Sequence, residues 1–340
     1  MTDSIPLRAQ DALTGRQFIE LIRDTMGDIR GISPAELDRR RAQVEELVYR
    51  EVTHGNVPDF MRPENFREIT VETQIAGRTI SAKVRVCPDY LAIGNNDDFF
   101  RVPLSPITAR RIADRFGFVL PTQRLTDVID TEARSVGGFL PFNDAPEIAR
   151  RVTNPRTGHS VFDGEQGKPW NLAAYGYYEG IWMLTPAFAI KQNEMINSDL
   201  VRAGSPPFRS GMKKEVLYDP LAFVESHEGG PPVVIYRQGI QGLSNWHNET
   251  YHDYSHGIRF LSSDVHLTIT ERDGSRHEQT MSMRDALMHP EYHRLFAPTT
   301  MDIDRMYRRP TMVPRRTDQH TLVEPTVQSV QRHGELQRLT

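Results

Sequence analysis

Between Phe66 and Val86 the chain alternates apolar and polar residues in two consecutive runs, Phe66 to Ile75 and Thr79 to Val86. Only Ala76-Gly77-Arg78 separates them. A period of two sends alternate side chains to opposite faces of a strand, and a short glycine-containing connection returns the second strand antiparallel to the first. The result is a hairpin with one apolar face, which must be covered by other elements.

The covering elements are legible on both sides. Upstream, Thr14 caps an expected helix over 15–27 with Phe18, Leu21 and Ile22 on one face. Ser33-Pro34-Ala35-Glu36 combines a cap, a first-turn proline and an acid three residues after the cap, which starts a second helix running to about Thr53. His54-Gly55-Asn56-Val57-Pro58 stops it. Downstream, Ser105-Pro106 opens a helix closed by Gly117, and Pro121-Thr122 opens another through Ala133. Short strands are expected over 88–94 and 99–102, a helix over 187–198, and strands at Val233–Tyr236 and Ile258–Leu261. A hairpin of 265–270 with 277–281 follows, then a short helix from Ser282. The expected fold is α+β: N-terminal helices followed by a mixed or antiparallel sheet with flanking helices. The chain divides into an N-terminal helical segment (1–60), an α+β core (61–305) and a disordered tail (306–340) that carries six arginines against three acids.

Composition narrows the function classes. Forty-one Lys and Arg against 45 Asp and Glu leave a net charge of −4, so no nucleic-acid partner is expected. No apolar run approaches the roughly 20 residues of a membrane span. The N-terminus shows no secretory signal, which leaves a cytoplasmic location or export by a signal-independent route. A single cysteine, Cys87, excludes an internal disulfide framework and a cysteine-cluster metal site. Its place before Pro88 in a strand marks it as a small buried hydrophobe rather than an activated thiolate. No phosphate-cradling glycine loop and no Gly-x-Ser-x-Gly elbow is present, which disfavours nucleotide binding and α/β-hydrolase chemistry; no cofactor is expected.

Reactive side chains concentrate in Trp246-His247-Asn248-Glu249-Thr250-Tyr251-His252-Asp253-Tyr254-Ser255-His256-Gly257-Ile258-Arg259. His252 and His256 have the i,i+4 spacing that chelates zinc on a helix. Asp253-Tyr254-Ser255 followed by Gly257 is poor helix material, and residues four apart in an extended segment are about 13 Å distant. No metal is therefore expected. Acid–base chemistry fits better. His256 is the candidate general acid or base, Tyr254 a neighbouring donor, and Asp253 an orienting carboxylate if the chain turns between them. Arg259 is a candidate anchor for a carboxylate or phosphate. His247, Lys213, Lys214 and Tyr236 complete the candidate ligand-binding set. Each has a bland counterpart: a hydrogen-bonded core histidine, solvated lysines, and a serine at 105 that only caps a helix.

The phrase Ser255-His256-Gly257-Ile258-Arg259 resembles the L,D-transpeptidase signature, which carries a nucleophilic cysteine between the glycine and the isoleucine. This chain has none there, so the likeness brings no transpeptidase chemistry. A broader resemblance covers most of residues 15–300. His54-Gly55-Asn56-Val57-Pro58-Asp59-Phe60, Pro88-Asp89-Tyr90-Leu91-Ala92-Ile93-Gly94, Pro103-Leu104-Ser105-Pro106-Ile107-Thr108-Ala109 and Asp253-Tyr254-Ser255-His256-Gly257-Ile258-Arg259 together resemble a family of bacterial proteins of unassigned function. In that pattern a histidine often precedes the lysine pair; here Met212 stands in its place.

Two functions of different class are expected. One is a hydrolase-like enzyme using His256 on a cell-envelope polymer or a small molecule. The other is a non-catalytic binding or secreted effector module whose aromatic-rich 165–185 segment holds a ligand or partner.

Overall fold

Thr14 closes a capping box with Gln17, so helix α1 (Gly15–Met26) starts where its first orphan amides are satisfied. Ser33 Oγ accepts from the Glu36 amide to open α2 (Pro34–Thr53). The computed structural model describes residues 4–27, 33–135, 177–218, 233–237, 241–244, 252 and 254–296.

The 66–86 hairpin forms as strands β1 (Arg67–Ile75) and β2 (Arg78–Val86) in unbroken register, from Arg67 opposite Val86 to Ile75 opposite Arg78. The turn is two residues, because Arg78 already pairs. Ala76 (φ 52°) and Gly77 (φ 80°) are both left-handed, the conformation whose twist matches a two-residue hairpin. The chain continues through β3 (Ala92–Gly94), β4 (Phe99–Arg101), α3 (Pro106–Phe116), β5 (Phe118–Val119), α4 (Gln123–Glu132) and β6 (Arg134–Ser135). After α5 (Tyr177–Arg202) come β7 (Arg209–Ser210), β8 (Lys214–Tyr218), β9 (Val233–Arg237), β10 (Gln241–Ser244), β11 (His256–Gly257), β12 (Leu261–Thr270) and β13 (Arg276–Ser282). Two short helices, Met283–Met288 and His293–Phe296, follow.

Two sheets carry the site. The larger is antiparallel, ordered β1-β2-β12-β13, with β5 also pairing β12. Its apolar face, including Ile69, Val71, Ile80, Val84, Val265 and Leu267, packs with Leu125 and Ile129 of α4 and with Leu287, Leu295 and Phe296 of the last helices. The smaller is ordered β10-β9-β8-β11, with β11 running parallel to β8. A second apolar cluster joins Phe18 and Ile22 of α1, Val48 and Val52 of α2, Phe100, and Phe260. The N-terminal helices thus share a core with residues far along the chain. The fold class is α+β, with N-terminal helices preceding the sheet.

Three local expectations are corrected. The 258–261 strand is absent: β11 ends at Gly257 and β12 begins at Leu261. The intervening carbonyls of Ile258 and Phe260 accept from the amides of Leu91 and Cys87 at 2.7 and 2.8 Å, outside either sheet ladder. The expected 88–94 strand shrinks to Ala92–Gly94, because Pro88 has no amide and the Asp89 carboxylate takes the Tyr90 amide at 2.7 Å. The expected 187–198 helix extends to Tyr177–Arg202, through Pro186. The tail (306–340) lies outside the described residues.

Candidate functional site

The site forms where β8 meets β11. This parallel pairing sets His256 opposite Lys214 and Gly257 opposite Glu215, and the Lys214 amide donates to the Ser255 carbonyl at 2.8 Å. On the other side of β8, Tyr236 of β9 stands opposite Glu215. Lys213, just before β8, is only 1% exposed. Its Nζ donates to Gln192 Oε1 of α5 at 2.8 Å and to the Tyr254 carbonyl at 2.9 Å. His256 is fully buried and Tyr254 is half-buried.

Gly257 permits this close approach. A Cβ there would lie 2.7 Å from a Tyr90 ring carbon and 2.8 Å from Lys213 Cβ, below any normal carbon–carbon contact. The absence of a side chain lets Tyr90 and Lys213 pack directly on the backbone beside His256.

Two buried ion clusters support this junction. Arg259, expected to anchor a ligand, instead directs its whole guanidinium to protein groups. Nε donates to Glu215 Oε1 at 2.8 Å, Nη1 to the Cys87 carbonyl at 2.8 Å and Nη2 to the Arg209 carbonyl at 2.9 Å. Its plane sits 4.5 Å from the Tyr90 ring centroid. Burial opposes its charge, but the Glu215 carboxylate and the Tyr90 ring outweigh burial and raise its pKa. Arg259 is a clamp between strands, because a fully buried fork with three protein acceptors has no face left for a ligand.

In the second cluster Asp89 receives Arg101 bidentately at 2.9 and 2.7 Å and Arg209 at 2.9 Å. Burial pushes the Asp89 carboxyl upward, yet the two guanidinium groups hold it below its ordinary value. Arg101 also donates to Asn193 and Asn197 of α5 at 3.2 and 2.8 Å. Together the two clusters tie β4, β7, β8 and α5 to the 87–91 segment.

Of the expected site residues, His256 stands opposite Lys214 in the β8–β11 pairing, Lys213 Nζ reaches the Tyr254 carbonyl, and the backbone of Tyr236 lies one strand beyond β8. His247 and Asp253 lie outside the described residues. So does most of the 165–185 segment; its remainder, from Tyr177, belongs to α5. Cys87 is buried and its thiol is pushed up to about 12 by that burial, which suppresses the thiolate a nucleophile needs. Ser105 caps α3 through the Thr108 amide and also donates to Glu45 Oε2 at 2.8 Å.

Glu45 and His252 form a further titratable pair that sequence reasoning missed. His252 Nδ1 lies 2.9 Å from Glu45 Oε1. Glu45 additionally accepts the Ser105 amide at 3.1 Å and Thr108 Oγ1 at 2.5 Å. No local signal marks Glu45, which is one polar residue among many on α2. Gln192 was equally silent, since α5 shows no sequence feature that separates it from the other polar positions of that helix.

Among the described residues no group of three or more His, Cys, Asp or Glu could hold a metal ion. No described helix is long and apolar enough to cross a membrane. No family model, no curated protein and no solved structure matches this chain, so the chemistry of the site is read from its geometry.

Proposed function

We propose that the protein is a hydrolase-like enzyme in which His256 is the general acid or base, with a cell-envelope polymer as substrate. The observation that supports this most directly is a fully buried imidazole, His256, set opposite Lys214 by the β8–β11 pairing and next to the glycine on whose backbone Tyr90 and Lys213 pack. Burying ionisable groups costs free energy that an apolar layer avoids, and clusters of them concentrate at functional sites. The surrounding arginines are matched to carboxylates, and Lys213 and His256 are buried groups whose chemistry includes proton transfer or charge stabilisation. Lys213 Nζ, fixed by Gln192 and the Tyr254 carbonyl, is positioned to stabilise developing negative charge. Because His256 is enclosed, a substrate reaches it only when the layer over it opens, as in enzymes whose sites close over the reaction. The resemblance to a bacterial family and the Ser-His-Gly phrase favour an envelope polymer over other substrates.

The test is His256→Gln, which retains volume and hydrogen-bonding capacity. Purified protein is incubated with bacterial cell wall, released fragments are resolved by mass spectrometry, and a melting curve is recorded alongside. The variant is expected to melt near the parent while the rate falls by ~10²–10⁴. A stable variant with parental activity removes His256 from the mechanism. A parent that releases no fragments overturns the substrate assignment.

A further inference from the structure

The larger sheet has two edges, and they differ. At the β1 edge Arg124 Nη2 donates to the Glu72 carbonyl at 2.7 Å, so a side chain already occupies a backbone acceptor that a further strand would need. At the other edge β13 pairs with β12 in unbroken register, from Asp264 opposite Ser282 to Thr270 opposite Arg276. Arg276 to Thr280 are exposed. Proteins commonly protect such an edge with a proline, a lysine, a bulge or a covering element. β13 contains no proline, no lysine and no bulge, and among the described residues no strand other than β12 pairs with it.

The backbone of β13 faces the edge in a fixed order. The Glu271 amide donates to the Ser275 carbonyl at 2.9 Å at the mouth of the hairpin. Bonded pairs recur at every second residue of an antiparallel ladder. His277 and Gln279 therefore turn their amides and carbonyls to β12, while those of Arg276, Glu278 and Thr280 point to the open edge. The side chains of Arg276 and Glu278 share one face of the strand. Among the described residues neither side chain makes a hydrogen bond or an ion pair.

This order makes the edge complementary to itself. Two copies of the strand, antiparallel about a two-fold axis, bond only where edge-facing residues stand opposite one another. An axis at Glu278 sets that carboxylate against its own copy. An axis at Gln279 sets Arg276 against Ser282 and Glu278 against Thr280. An axis at His277 sets Arg276 of each copy against Glu278 of the other, twice. Opposite charges directly across a strand pair stabilise it and like charges oppose it, so charge selects the axis at His277. We propose that two copies of this chain pair through β13 in that register, joining their larger sheets into one continuous sheet. The contact is narrow, so the dimer is reversible rather than permanent. The assignment does not depend on the role of His256, and its measurement needs no turnover.

The test is sedimentation velocity of the full chain at pH 7 and low salt, where surface charge pairs are least screened, over chain concentrations of about 5 to 300 µM. A monomer–dimer equilibrium is expected. Arg276→Glu and Glu278→Arg each set two like-charge pairs across the axis and are expected to weaken the dimer at least about 10-fold. The double variant Arg276→Glu with Glu278→Arg restores both pairs in reverse and is expected to return to within about 3-fold of the parent. Residue-resolved amide hydrogen exchange supplies a second readout. The amides of Arg276 and Glu278 are expected to gain protection as the parent is concentrated, while those of His277 and Gln279 are protected at every concentration. Melting curves confirm that each variant folds; if a single variant does not, the exchange of the parent still decides the question. A parent that stays monomeric throughout overturns the proposal and leaves the edge to a strand from another protein. A dimer indifferent to both single variants, a folded double variant no tighter than the single ones, and Arg276 and Glu278 amides that stay unprotected in the dimer each overturn it as well.

Discussion

Replacing Glu45 by glutamine is expected to remove an acid-sensitive part of the stability. Burial alone pushes the Glu45 carboxyl upward, but His252, Thr108 and Arg41 together hold it at about 2 against an ordinary 4.5. A carboxylate whose folded pKa is depressed stabilises the fold fully above its unfolded pKa and loses that contribution as pH falls through the folded one. At ~1.4 kcal/mol per pH unit the displacement corresponds to ~3 kcal/mol at pH 7. The same linkage removes ~2 kcal/mol of it by pH 3. The side chain is 13% exposed, so solvent screening reduces this only modestly. The assay is urea unfolding of parent and Glu45→Gln at pH 7, 5, 4 and 3. Other carboxylates are common to both proteins and cancel in the difference. The gap between parent and variant is expected to be ~3 kcal/mol at pH 7 and to shrink to ~1 kcal/mol at pH 3. A gap that stays constant from pH 7 to pH 3 would refute the argument, because the stabilisation would then not reside in the ionised carboxylate.

Two further perturbations probe the junction. Gly257→Ala places a methyl against the Tyr90 ring and Lys213 Cβ and is expected to cost ~1–3 kcal/mol in urea melts, the usual penalty of overpacking; an unchanged midpoint would show that Tyr90 moves freely. Arg259→Met strands the buried Glu215 carboxylate and is expected to cost ~3–5 kcal/mol, while Arg259→Met with Glu215→Leu recovers much of it. A double variant no more stable than the single one would place the energy in the bonds from Arg259 to the Cys87 and Arg209 carbonyls.

The sequence is most informative where a signal is local. Thr14, Ser33, Ser105, Thr122 and Ser282 all cap the helices that follow them, because a cap is a bond between residues two or three apart in the chain. The 67–86 hairpin is equally direct, since its register follows from the alternation and a two-residue turn. What escaped was set by distant partners. Residues 258–260 look like a strand from their apolar side chains, yet their backbone pairs with 87–91. Arg259 looks like a ligand anchor from its neighbours, yet Glu215, invisible from that segment, claims it. Pro186 suggests a helix boundary, and the helix runs through it. The candidate site was partly legible for the same reason. The 253–259 phrase identified the segment, but nothing near it announces Gln192 or the pairing of β8 with β11.

That pairing explains why so many charges lie in this core. A strand of two residues, His256 and Gly257, has too few ladder bonds and side-chain alternations to specify its own register, and a slip of one residue would turn His256 to the opposite face. The ion clusters supply the missing specification. Arg259 can reach Glu215, the Cys87 carbonyl and the Arg209 carbonyl together only when Gly257 stands opposite Glu215. Lys213 reaches Tyr254 and Gln192 only in that same register. Apolar residues at these positions would pack in either register at similar energy, whereas a misplaced buried charge costs several kcal/mol. The charged layer therefore stabilises less than a hydrophobic one would, and in exchange it fixes the register that sets His256 opposite Lys214. A scaffold concerned only with stability gains nothing from that exchange; a site that needs an imidazole held at one place on one face does.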